Sequence, residues 1–314
     1  MAFNVTKFKK LKLSCFEINA GLNKHTTFKI GGKCLAFVQV YNLKELKKIL
    51  KFCLKNKIKY FILGRGSNVL FQDNGFNGII INFSECYKSL KYKIKNKNVV
   101  INVGAGMHLT KLNLFCAQNG FSGLEWSLGI PASVGGAICS NIGSFNNSIS
   151  SVIKKVKVVY IAKFFSFNII KTKKLNLKKC NFSYRNSVFK SKKYIITQAK
   201  ICLKKSDSTK VNSSMQEYLN RKKLTQPLGT YNAGCIFKNG SNYKIAQLIE
   251  NLGLKGKMVG HAQISTKHSN FIVNKSKASC QNVKDLINYI KFKVQEKYKI
   301  TPELEIEIIE EGDF

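Results

Sequence analysis

The sequence predicts an α+β, multi-domain protein, and three observations carry that prediction. The first third alternates strand-like and helix-like segments. Two glycine-dense stretches, at 63–82 and 123–146, interrupt the pattern. The last hundred residues return to alternating helices and strands with no internal repeat. At 314 residues the chain is long enough for two domains or three, each with a well-formed core.

The elements follow in order. "CLAFVQVY" (34–41) is strand-like. Asn42 then caps a helix "LKELKKILKFCLKN", and Glu45 three residues on completes a capping box. "KYFILG" (59–64), "GIIINF" (78–83) and "NVVINVGAG" (98–106) are strands, the last ending in glycines. "HLTKLNLFCAQNG" is an amphipathic helix stopped at Asn119-Gly120. Beyond the second glycine-rich stretch, "VIKKVKVVYI" and "KKYIITQAKICL" read as strands. A composition shift at "KKSDSTKVNSS" (204–214) marks a boundary. A helix near 243–252 stopped by Gly253, a strand "NFIVN", a helix 280–297 capped by Ser279 and a strand "LEIEII" (304–309) complete the chain.

The totals exclude several classes. No stretch approaches 18 consecutive apolar residues, so no membrane span is expected. The N-terminus alternates Lys with apolar residues and has no h-region, so no signal peptide is expected. Ten cysteines are scattered without a Cys-x-x-Cys pair, which argues against zinc and against a dithiol motif and suits a reducing cytoplasm. The formal charge of +37 is a signature of nucleic-acid binders. Here it is nearly all Lys spread along the chain, so a solvated surface is expected and no nucleic-acid partner. Against that background the only arginines, Arg65, Arg185 and Arg221, stand where a planar, always-charged fork is needed.

Five stretches carry chemistry. "LGRGSN" (63–68) lets backbone N–H groups converge on an anion, with Ser67 and Asn68 as further donors; alone, such a turn is as readily structural. "GLEWSLGIPASVGGAICSNIGSFN" (123–146), with five glycines, lets backbone lie against a flat or polyphosphate ligand, or packs tightly between layers. Two such loops in one α+β region favour a dinucleotide site. "NFSYRNSVFK" contains Arg185, "NAGCIFK" contains Cys235, and "TPELEIEIIEEG" places Glu303, Glu305 and Glu307 on one face of a strand. Read blandly, Cys235 is a small buried hydrophobe.

Taken together, "HTTFKIGGK", "LGRGSN", "GIPASVGGA" with Asn141 and Gly143, "SYRNS", "QPLGTYNAGCIFKN" and "LKGKMVGHAQISTKHSNFIVN" resemble the UDP-N-acetylenolpyruvoylglucosamine reductase (MurB) family, flavoenzymes of peptidoglycan precursor synthesis. The motifs stand in family order from about residue 20 to about residue 310.

The resemblance implies a two-subdomain FAD-binding (PCMH-like) region over 1–205, with subdomains of about 1–85 and 86–205, and a smaller α+β substrate-binding domain over 206–314. It implies FAD held without a covalent bond by Gly64, Arg65, Gly66, Ser67 and Asn68 and by Gly129, Ile130, Pro131, Val134, Gly135, Gly136, Asn141 and Gly143. NADPH is the implied hydride donor and a sugar nucleotide the implied substrate. Arg185 matches the family's active-site arginine, and Cys235 stands where the family has a Ser, sometimes a Cys, that protonates the substrate carbon. The Leu-Glu-x-Glu pattern makes Glu307 the catalytic carboxylate, with Glu305 its rival.

Lys223, Asn239, Gln263 and His268, with Lys267, match lower-grade substrate contacts. Two positions depart from the family: Gly240 replaces a frequent Pro, and Ile309 stands where an Arg is usual. Two rival readings are another FAD oxidoreductase of the same fold and a basic nucleic-acid-binding protein.

Overall fold

Hydrophobic periodicity accounts for most of the elements. The Asn42 side chain accepts from the Glu45 N–H and starts helix Leu43–Asn56, which buries Leu46, Ile49, Leu50 and Cys53 as one stripe. The computed structural model describes residues 3–83, 89–164 and 167–310. The expected subdomain edge at 85/86 and the last residues of the Glu-rich motif, 311 and 312, lie outside the described residues.

Glu45 does not close the expected capping box. Its carboxylate accepts from the Tyr41 N–H at 3.0 Å, the Ser14 N–H at 3.3 Å and the Ser14 hydroxyl. Two donors from Ser14, 31 residues away, and the neighbouring Tyr41 N–H outcompete the Asn42 N–H, and the side chain is buried among them.

The chain divides into two compact units that interleave along the sequence. One comprises the segment up to Glu17, Ala36–Arg65 and Gly78–Asn220; the other comprises Ile18–Leu35, Gly66–Asn77 and the segment from Arg221. A four-stranded sheet runs in the order Cys15–Ile18, Cys34–Gln39, Phe76–Asn82, Lys59–Leu63, and its last two strands are parallel, Lys59 opposite Gly78.

The first unit's main sheet has the order Phe167–Asn176, Ile153–Phe164, Tyr194–Lys205, Asn98–Gly104, Leu90–Lys95, antiparallel throughout. Its core joins Val99, Ile101 and Val103 to Leu109, Leu112 and Cys116 of helix Leu109–Gln118 and to Ala137 and Ile138. The second unit holds an antiparallel sheet in the order Tyr231–Cys235, Phe271–Asn274, Ala262–Ile264, Met258–Val259. Helix Cys280–Tyr298 packs here through Val283, Leu286, Ile287, Ile290 and Val294, a 3.6-residue stripe. Ser279 caps it in a reciprocal box with Asn282.

Elements that went unread in the sequence include helix Ser208–Thr225 at the composition shift, helix Val134–Cys139 inside the glycine-rich block, and the lysine-alternating strand Leu90–Lys95. The expected strand 304–309 is also corrected. Leu304 makes an isolated bridge to Phe237, a bend occupies 305 and 306, and the strand is Glu307–Ile309, parallel to Val69–Phe71. The segment changes sheet partner at the bend, so the alternation that put Glu303, Glu305 and Glu307 on one face does not run through it. Among the described residues no helix is long and apolar enough to cross a membrane.

Glu45→Ala leaves two backbone N–H groups and a hydroxyl without their acceptor and should cost about 1–3 kcal/mol in denaturant unfolding. Glu45→Gln, which keeps one acceptor oxygen, should cost less.

Candidate active site

The local chemistry of "NAGC" explains where Cys235 goes. Asn232 Oδ1 accepts from the Gly234 N–H at 2.9 Å, and Gly234 takes φ +79, a region open to glycine. The register with Phe271–Asn274 slips between Asn232 and Cys235, a β-bulge, after which Cys235 faces Phe271. Bulges re-aim the side chain that follows them. Beyond Cys235, the buried Asn270 clamps the strand: its carbonyl accepts from Ile236, its Oδ1 accepts from the Phe237 N–H at 3.0 Å, and its Nδ2 donates to Phe237 O at 2.8 Å. Cys235 itself is half-buried.

Three separate parts of the sequence converge on this strand. The Glu305 N–H donates to Ile236 O at 2.8 Å, Asn68 Nδ2 donates to Glu305 O at 3.0 Å, and the Glu307 N–H donates to Asn68 O at 2.9 Å. Asn68, beside Ser67 in the first glycine turn, therefore clasps both glutamates by backbone bonds one residue from Cys235. Thr27, in the "HTTFKIGGK" motif, adds a second tie. Its N–H donates to Gly66 O at 3.0 Å, and its hydroxyl lies 2.7 Å from Asn232 O. Gly66 has φ +64, and a Cβ there would strike the His25 carbonyl. Ile309, at the departure from the family's Arg, is buried and pairs with Phe71.

The other glycine residues cluster in the first unit. A Cβ on Gly64 would lie 2.5 Å from Ser133 Oγ and one on Gly135 would lie 3.0 Å from Ala105 Cβ, so only glycine allows these approaches. Asn82 Nδ2 holds the Gly64 carbonyl at 2.8 Å, and the Val134 and Gly135 N–H groups donate to Met107 and Ala105 at 2.9 and 2.8 Å. Arg65 Nη1 stands 2.7 Å from His108 Nε2, a contact in which the guanidinium can only donate. Ser133 and His108, bridged to each other, were not singled out in the sequence. Gly136 and Pro131 remain exposed, Gly129 takes φ +85, and Ile130 is half-buried. Bare backbone at a close approach of two turns, with a guanidinium held beside it, fits a diphosphate and a flat ring. A flavin dinucleotide is consistent with these residues.

Arg185 is held by the same loop system. Ser183 and Asn186 exchange backbone bonds of 3.1 Å around Tyr184–Arg185, and Arg185 takes φ +52. Asn141 Nδ2 donates to Ser183 O at 2.8 Å, and Arg185 Nη2 donates to Gly143 O at 2.9 Å. Asn141 and Gly143 thus position the arginine loop, in addition to any contact with a cofactor. The Tyr184 ring lies 5.2 Å from the guanidinium.

The structure brings Asn68, Cys235, Glu305 and Glu307 together in one unit, and Gly64, Arg65, the 129–143 segment and Arg185 in the other. Of the substrate candidates, Asn239 is exposed and its Oδ1 accepts from the Ile245 N–H at 3.1 Å. The Tyr243 ring occupies the space of a Cβ at Gly240, a local reason for glycine there. Gln263 Nε2 donates to Gly256 O at 3.1 Å. The His268 pKa is pushed below its usual value by burial and then by Lys255, and its Nδ1 accepts from the Asn270 N–H at 3.3 Å.

Lys223 is exposed on its helix, whereas its neighbour Lys222 is buried, 1% accessible, and burial pulls its amine down to about 8. In so lysine-rich a chain no sequence signal distinguished the two.

No disulfide joins two of the described cysteines. Burial pushes Cys53, Cys116 and Cys280 up to about 12 and Cys180 up to about 11, which keeps them protonated and inert at neutral pH.

Comparison with known proteins places these features. Residues 34–163 match the family "FAD binding domain", and residues 226–309 match "UDP-N-acetylenolpyruvoylglucosamine reductase, C-terminal domain". The chain is 36% identical over 293 residues to the UDP-N-acetylenolpyruvoylglucosamine reductase of Clostridium novyi, covering 93% of this chain and 92% of that one. It is 36% identical over 291 residues to the Prochlorococcus marinus protein of the same name, covering 92% and 96%. The crystal structure of the Thermus caldophilus enzyme superposes with a TM-score of 0.75 at 31% identity, over 94% of this chain and 98% of that one.

Lys222 supplies a pH test. Its folded pKa lies below the unfolded 10.5, so the unfolded chain binds the extra proton between about 8 and 10.5, and stability rises with pH across that window. Below about 8 both states are protonated and the burial cost is complete. Wild-type stability should therefore gain on that of Lys222→Met between about pH 8 and 10.5, by up to roughly 3 kcal/mol, in denaturant unfolding at several pH values.

Proposed function

The chain belongs to the UDP-N-acetylenolpyruvoylglucosamine reductase family, and from that premise we propose that Arg185, Cys235 and Glu307 carry its reaction. The reaction is the NADPH-dependent, FAD-mediated reduction of UDP-N-acetylglucosamine enolpyruvate to UDP-N-acetylmuramate, a step of peptidoglycan precursor synthesis. FAD, when bound, supplies to the vinyl CH2 carbon the hydride it has taken from NADPH. Gly64 to Asn68 and the 129–143 segment hold it, by the close backbone approach their glycines permit.

Hydride addition leaves negative charge on the adjacent carbon and in the carboxylate. Arg185, preset by its turn and by Gly143 O, binds that carboxylate through a fork that stays charged. Glu307 stabilises the same species directly or through water. The Cys235 thiol donates its proton to the charged carbon and completes the addition of two hydrogens across the double bond. A thiol gives up its proton far more readily than the alcohol of a Ser in the same place.

The observation that supports this reading most is the clasp by Asn68 of the two glutamates beside the Cys235 strand: three motifs far apart in sequence share one small region. Residues 1–205 are assigned to the flavin and 206–314 to the sugar nucleotide, with Lys223, Asn239, Gln263 and His268 as its contacts. Ten scattered cysteines without a Cys-x-x-Cys pair support a cytoplasmic setting for the reaction.

Cys235→Ala should lower turnover of the enolpyruvyl substrate by about 10²–10⁴-fold, whereas Cys235→Ser should retain most of it, with flavin reduction by NADPH unchanged in both. Full turnover by the alanine variant would remove Cys235 as the acid. Glu307→Gln should cost more turnover than Glu305→Gln; the reverse ranking would transfer the role to Glu305.

A further inference from the structure

We propose that Phe145 and Tyr218 are positioning residues for Arg185, acting through the Gly143 carbonyl. The strands Gly143–Ser144 and Asn147–Ser148 pair with Ser144 opposite Asn147 and Gly143 opposite Ser148. This register leaves a two-residue loop, Phe145–Asn146, whose φ angles are +53 and +61. Both central residues of a tight hairpin are then left-handed, a position that favours Asn, Asp and Gly. Asn146 conforms. Phe145 does not, and a bulky aromatic held there is a costly outlier that its surroundings must maintain.

The surroundings are visible. The Phe145 ring packs on Tyr218 of helix Ser208–Thr225 with centroids 5.1 Å apart and planes at 39°. The hairpin so pinned presents the Gly143 carbonyl to Arg185 Nη2 at 2.9 Å, and a Cβ on Gly143 would come within 3.2 Å of Arg185 Nη1. Arg185 is itself left-handed, so its backbone and its guanidinium are both fixed before substrate arrives. The aromatic pair sets the hairpin, the hairpin sets the carbonyl, and the carbonyl aims the fork. A displacement of about 1 Å at a charge-stabilising group lowers turnover by up to about a hundredfold, which explains why a strained Phe is kept where Asn would fit the turn.

The inference rests on Arg185 acting in the reaction, and the test separates the two. Phe145→Asn gives the turn a residue it favours and should keep the wild-type Tm within a few degrees, whereas Tyr218→Ala leaves a good helix former but removes a ring from the first unit's core and should lower Tm. Their kcat for the enolpyruvyl substrate should fall about ten- to a hundredfold, with reduction of the flavin by NADPH unchanged and with Phe145→Tyr active. Neither change should lower kcat further in an Arg185→Lys background. Wild-type kcat in Phe145→Asn and Tyr218→Ala beside an impaired Arg185→Lys overturns the proposal and leaves Arg185 in its role. A fall in kcat of Phe145→Asn that tracks a matching loss of Tm also overturns it, in favour of simple packing. Wild-type kcat in Arg185→Lys removes the reading beneath it.

Discussion

The clasp made by Asn68 is the constraint on which the geometry around Cys235 depends. One amide and one carbonyl hold Glu305 and Glu307 across a bend where regular pairing is lost, and the Glu305 N–H passes the restraint to Ile236, next to Cys235. None of these bonds uses a carboxylate or the thiol. Apart from the Asn68 amide, every donor and acceptor in the clasp is a backbone group. Hydrogen bonds of this kind, part-buried and mutually supporting, confer rigidity beyond their individual strength.

The first unit solves the same problem with strain. Asn141, Phe145, Asn146 and Arg185 all adopt positive φ within one loop system, and glycine at 64 and 135 removes side chains where two chain segments meet. Left-handed conformations at non-glycine residues persist where packing over-determines them. Here that packing includes Tyr218 against Phe145 and the Asn141 amide on the Ser183 carbonyl. The chain's rare arginines follow suit: Arg65 and Arg185 each have a defined acceptor, a histidine ring and a backbone carbonyl. A lysine could not hold either with a planar fork.

Burial sorts the thiols into two kinds. Cys53, Cys116 and Cys280 lie in hydrophobic cores and act as small apolar side chains, their ionisation suppressed by desolvation. Cys235 sits after a glycine-dependent bulge on a half-buried strand. Its neighbours in sequence, Asn232 and Gly234, serve the backbone geometry that places it.

Periodicity and punctuation in the sequence were sufficient for the regular elements: helices starting at Asn42 and Ser279 formed where side-chain caps meet amphipathic runs, since both signals are local. Motif order was sufficient for the family, the flavin and the reaction class. Tertiary structure decided the rest, because it turns on partners distant along the chain. Glu45 turns from its local box toward Ser14, 31 residues away. The strand expected over 304–309 breaks where it exchanges Phe237 for Val69. Lys222 is buried while its identical neighbour Lys223 is exposed. Phe145 acquires a reason for its strained backbone only when Tyr218 is brought against it. A pattern of residues carries the energy of near neighbours; the pairing of far ones is set by packing, and it is packing that aims the charges.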